Sequence, residues 1–102
     1  MKTAKLQTNL VGRKIHLLTD NEARIEASRQ DKALNKDVLA TITAEMMYPA
    51  LKQPRKQFGD QMGEIVAVRA VGIGDRDYLV YTISFGGEIV ELHPALWRLD
   101  PI

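Results

Sequence analysis

Glu91 and His93 stand two apart near the end of the chain, and His16 is the only other histidine. On a strand, residues two apart point to the same side. Two imidazoles and a carboxylate would suit an open zinc or iron site, but no diagnostic ligand spacing accompanies them. They read as exposed strand residues, and no metal or cofactor is expected. Glu88 and Glu91 differ by three, so on a strand they face opposite ways, which is wrong for shared acid–base work. Asp75 and Asp77 lie in a glycine-rich stretch that lacks the other oxygen ligands of a calcium loop, and turn chemistry accounts for them. Gly72-Ile73-Gly74 has the look of an anion cradle, yet the aspartates that follow would repel phosphate. Ser28 and Ser84 have no positioned base and there is no cysteine, so nucleophilic catalysis has no support. These residues argue against an enzyme.

Two binding surfaces remain. Arg55, Lys56 and Phe58 combine backbone-seeking charge with an aromatic stacking surface, the ingredients of single-stranded nucleic-acid binding. Arg13-Lys14 adds a second basic pair. Against this reading, 14 basic residues face 13 acidic ones, where a phosphate-driven footprint shows a clear basic stripe. Nucleic acid is therefore the alternative partner. Met46, Met47 and Tyr48, with Leu51 close by, offer an adaptable apolar contact, and Met47 and Tyr48 are the candidate residues for a protein partner or a second copy of the chain. Charge is also uneven along the sequence: residues 1–62 carry 11 basic and 7 acidic side chains, residues 63–102 carry 3 and 6. Unlike patches of this kind can meet across a self-association interface.

The elements that must position these residues follow from periodicity. At 102 residues the chain has the size of one domain. No apolar run approaches the ~18–20 residues of a membrane helix, and the first residues lack a signal-peptide core, so a cytoplasmic location and no membrane partner are expected. Residues 1–8 are polar and expected to fray. Residues 10–19, LVGRKIHLLT, alternate as a strand, with Asp20-Asn21 supplying turn or N-cap chemistry. The following EARIEASRQDKALNKD reads as a solvated helix or a long loop. Residues 36–48 fit a helix capped by Asn35, lined by Val38, Leu39, Ile42 and Met46 and ended by Pro49, in preference to a strand. Residues 50–62, with Pro54 and Gly59, read as a flexible loop. Strands are expected at 63–71, 78–85 and 88–92, with VGIGDRD as a glycine-rich connection and a short strand at 98–99.

Gly86-Gly87 signals a two-residue hairpin. It would pair Phe85 with Glu88, Ile83 with Val90 and Tyr81 with Leu92, gathering the apolar side chains on one face. Pro94 then sets up a short helical turn before Trp97. This sequence of strand, 3₁₀-like turn and short closing strand resembles the end of an SH3-like barrel, and the strand near 10–19 with the sheet from Gly63 onward resembles its strand order. The resemblance covers about half the chain and implies an α+β fold, a small bent barrel with an inserted helical segment and Trp97 plugging one mouth. No binding residues carry over, because the acidic-aromatic segment of proline-binding SH3 domains has no counterpart. The expected function is a non-enzymatic binding or assembly module.

Overall fold

The computed structural model describes residues 8–101. The expected fraying of residues 1–8 falls outside this range except at Thr8, which opens a 3₁₀ turn (Thr8–Leu10). The class is α+β. Strand β1 (Lys14–Leu17) leads into four short helices, α1 (Asp20–Gln30), α2 (Lys36–Thr41), α3 (Ala44–Met47) and α4 (Lys52–Phe58). Strands β2 (Gly63–Ile73), β3 (Arg76–Phe85) and β4 (Glu88–Leu92) follow as a meander, and a 3₁₀ turn at Pro94–Leu96 delivers β5 (Trp97–Leu99). Among the described residues no helix is long and apolar enough to cross a membrane.

The C-terminal hairpin has the register that paired glycines dictate. Gly86 and Gly87 both adopt positive φ, 60° and 102°, as a primed two-residue turn requires. Phe85 pairs with Glu88, Ile83 with Val90 and Tyr81 with Leu92. The buried residues of β3, Tyr81, Ile83 and Phe85, therefore share a face with Leu92.

The sheet is antiparallel, in the order β4-β3-β2-β1-β5, and it does not close. The expected barrel is thus corrected to an open, curled sheet whose edges are β4 and β5. Curling is visible in one contact. A flat sheet would hold β3 and β5 roughly 14 Å apart, three strand spacings. Yet the Trp97 and Tyr81 rings meet edge to face with centroids 4.9 Å apart. A bulge between Ile65 and Ala67 supplies part of the bend. Trp97 lies inside the curl, 6% exposed, where side chains and not a hydrogen-bonded ladder fill the gap between the edges. Gly63 lets the backbone of β2 approach this core, since a Cβ there would lie 2.6 Å from Ile83 Cγ2 and 2.8 Å from Phe85 Cε1.

The helices fold back onto the concave face. Ala23, Ala44, Leu51 and Phe58 join one apolar cluster with the sheet residues. Four expectations change here. The strand set at 10–19 shortens to Lys14–Leu17, because Thr19 is already a helix cap: its hydroxyl accepts from Glu22 N–H while the Glu22 carboxylate accepts from Thr19 N–H. The helix set at 36–48 is two helices, broken at Ile42-Thr43 where three β-branched residues run together. Thr43 then caps the second, accepting from Met46 N–H at 3.3 Å. The stretch set as a flexible loop, 50–62, contains α4, with Leu51 and Phe58 buried at its two ends. Finally, the connection set at VGIGDRD is mostly strand, and only Gly74-Asp75 turn.

Candidate functional site

The densest polar cluster surrounds His16. Strand β1 buries Ile15 and Leu17 and so turns His16 to the other face, opposite Arg98 of β5. The ring Nδ1 lies 2.6 Å from Asp100 Oδ1, and Nε2 lies 2.9 and 3.0 Å from the two Glu22 oxygens. Glu22 is held by the capping box at the start of α1, and Asp100 follows β5, where its N–H donates to Lys14 O. Partial burial opposes the charged imidazole, but the hydrogen bonds to Asp100 and Glu22 and the two negative charges outweigh it, raising His16 above its ordinary 6.5. Burial likewise opposes the Glu22 carboxylate, and the Thr19 N–H, His16 and the Thr19 hydroxyl outweigh that, holding it below its ordinary 4.5. An imidazolium is the form that donates from both nitrogens. With both engaged, His16 has no lone pair for a metal or a substrate proton. It is a clamp joining β1, α1 and the chain after β5.

The clamp sets a pH dependence. A raised histidine pKa stabilises the fold fully below about 6.5, and that contribution is lost as pH rises through the folded value; the lowered Glu22 pKa adds stability above about 4.5. The melting midpoint of the wild-type chain is therefore expected to fall as pH rises above about 6.5, and His16→Gln to flatten that fall. Parallel curves for the two proteins in a thermal titration would contradict the clamp.

The residues singled out from sequence are placed as follows. Arg55 is committed to the protein itself: its guanidinium donates to Asp20 Oδ1 at 3.1 Å and to Glu45 Oε1 at 3.5 Å, tying α4 to α1 and α3. Asp20, which also accepts from Ala44 N–H, is held below its ordinary pKa first by that backbone hydrogen bond and then by Arg55. Phe58 is buried and stacks on Phe85 with centroids 4.3 Å apart and planes 15° from parallel. It offers no ring face to a base. Lys56 remains exposed. Basic loop and aromatic platform thus separate, because the segment is a helix whose aromatic residue points inward. Met47 and Tyr48 are half-buried against the core, and it is Met46 that faces solvent, 66% exposed. Glu91 is paired with Arg69 and His93 Nδ1 accepts from Ala95 N–H, while His16 is engaged by Asp100 and Glu22. Among the described residues no three His, Cys, Asp or Glu side chains are grouped to hold a metal ion.

The feature with the least internal explanation is the far end of the β2–β3 hairpin. β1 pairs with β2 only at Gly63 and Glu64, and the backbone of Gly12 and Arg13 extends that cover to Ile65. β4 pairs with β3 only from Tyr81 to Phe85. Between Val68 and Tyr81 the two strands pair with each other alone, so among the described residues neither side of this arm carries a further strand. Its convex face shows Val71, Ile73, Tyr78 and Val80, with Ile73 64% exposed. No family model, curated protein or solved structure matches this chain. Its own geometry is what bears on function, and the arm is the part that offers binding groups still facing outward.

Could the arm have been read from sequence? Alternation continues through Arg69, Val71 and Ile73 on one side and Val68, Ala70 and Gly72 on the other. Gly74-Asp75 is a Gly-x pair of the type II′ kind, with Gly74 at φ 66°.

Proposed function

We propose that this chain is a non-enzymatic assembly module that binds a second copy of itself by strand addition along the β2–β3 arm. The observation that carries this reading is the pair of uncovered strand edges in a ribbon rich in apolar residues. An isolated two-stranded ribbon is marginal in water, and a row of open backbone donors and acceptors is a ready template for another strand. The SH3-like resemblance fits as the framework: β5 beside β1, a meander of three strands and a 3₁₀ turn before the last strand leave the long hairpin projecting. The committed state of Arg55 and the burial of Phe58 weigh against the nucleic-acid alternative. Sedimentation equilibrium of the full chain across micromolar concentrations tests the reading. A monomer–dimer equilibrium is expected; a strict monomer at every concentration overturns it.

A further inference from the structure

The arm has two edges, and they differ in chemistry. Which backbone groups each edge presents follows from the turn. In a two-residue hairpin the flanking residues, here Ile73 and Arg76, exchange hydrogen bonds, and every second pair after them does the same. Val71 with Tyr78 and Arg69 with Val80 are thus bonded to each other. Val68, Ala70 and Gly72 then turn their N–H and C=O groups outward from β2, and Leu79 turns outward from β3. The other end of β2 agrees with this phase: Ile65 also faces outward, donating to Arg13 O and accepting from Gly12 N–H.

The β3 edge is guarded. It carries Arg76 and Asp77, and the neighbouring lane is closed by the turn at Pro94. Charges and proline are what sheet proteins use to keep edges from pairing. The β2 edge, VAVRAVGI from Val66 to Ile73, has one charge, Arg69, and Glu91 already neutralises it on the convex face with N–O distances of 2.6 Å from Nε and 2.5 Å from the terminal nitrogen.

The geometry points to a two-fold dimer, resting on the assembly reading above, in which the β2 strands of two copies pair antiparallel about Ala70. Each arm then extends the lane that β1 occupies only as far as Ile65. The register is chosen by three constraints. A continuous sheet with both concave faces on one side needs a residue, not a gap, on the axis. Centring on Arg69 sets two guanidinium groups directly opposite each other. Centring on Val71 shortens the ladder. About Ala70, Val68 faces Gly72 of the second copy and Arg69 faces its Val71, with only small residues at the centre of the concave side. The same register brings exposed Asp75, at the tip, up to the start of the second copy's β1, beside Arg13, whose guanidinium donates to the backbone O of Asp100, while Lys14 is paired with Glu64. Charge complementarity between Asp75 and Arg13 therefore selects a copy of this chain as the occupant.

Amide hydrogen exchange, resolved by residue and measured on the full chain below and above its association midpoint, tests the edge. The amides of Val68, Ala70 and Gly72 are expected to slow about tenfold or more on association while Leu79 does not change. Ala70→Pro removes one outward donor at a position where an edge strand tolerates proline, and is expected to weaken association at least about tenfold without lowering the monomer's melting midpoint. Association with new protection at Leu79 alone overturns the β2 edge and leaves the assembly reading intact. A chain that stays monomeric and gains protection nowhere overturns both.

Discussion

Trp97→Ala is expected to cost about 3–5 kcal/mol of folding stability, the range for truncating a large buried aromatic. That corresponds to a fall of roughly 15 °C or more in the melting midpoint of a domain this size. The size of the effect follows from position. Trp97 sits on an edge strand of three residues, too short to hold itself by its ladder with β1. Its indole spans the curl to Tyr81, so its loss removes apolar area, an aromatic contact and the bond between the sheet's two ends at once. Trp97→Phe should cost about half as much or less. Among the described residues the buried indole Nε1 has no hydrogen-bond partner, and phenylalanine removes that unsatisfied donor along with some area. Urea denaturation of the two variants separates these terms. Equal losses would show that a phenyl ring recovers none of what the indole supplies, against the expectation that apolar area and a ring contact with Tyr81 suffice, and a loss below about 1 kcal/mol for Trp97→Ala would show that the sheet does not depend on being fastened there.

Phe58→Ala is expected to destabilise by a similar amount, about 3–5 kcal/mol, although it lies in a segment whose sequence reads as a loop. The ring is the inward end of α4 and stacks on Phe85, which is 2% exposed. Lys56→Ala, two residues away and exposed, should stay within about 0.5 kcal/mol of wild type. The contrast between the two discriminates sharply. A mobile basic loop would tolerate both substitutions and lose affinity for oligonucleotide in both; a packed helix loses stability in one only. Near-neutral unfolding free energies for Phe58→Ala would contradict the packing of α4.

What sequence could and could not reveal divides along physical lines. The last hairpin was legible because Gly86-Gly87 fixes the turn and alternation fixes the faces, both local rules. The α1 start was missed: Thr19-x-x-Glu22 has the capping-box spacing, but Asp20-Asn21 offered cap chemistry of its own and left Thr19 in the strand. Helix α4 was hidden by Pro54, which normally breaks helices. Here it is the third helical residue, inside the first turn, where its missing N–H has no intrahelical partner to lose. The arm was hidden by reading Gly72 as punctuation. Gly72 lies within β2, and only Gly74 takes the positive φ that the turn demands. The His16 clamp could not have been read at all, because Asp100 is 84 residues away and reaches His16 only once β5 lies beside β1. Arg55 is a similar case: its chemistry suggested a phosphate contact, and tertiary structure spent that charge on Asp20 and Glu45.

These features give the molecule a division of labour. The curled sheet, fastened by Trp97 and backed by the helices, holds its main polar side chains in pairs, His16 with Glu22 and Asp100 and Arg55 with Asp20 and Glu45. Among the described residues the arm leaves strand edges uncovered, and in the proposed assembly it is there that a second chain completes the hydrogen bonding.

The absence of native cysteine makes one measurement especially direct. In a two-fold ladder about Ala70, that residue faces its own copy as a hydrogen-bonded pair, with Cα atoms about 5.5 Å apart, within the Cα range of a disulfide, the Cβ atoms closing by a small shift of the two edges. Ala70→Cys under mild oxidation at micromolar concentration should convert almost entirely to a covalent dimer, while Ser28→Cys, exposed on α1, should remain largely monomeric. Cross-linking of the Ala70→Cys chain no faster than the Ser28→Cys control would contradict arm-to-arm pairing.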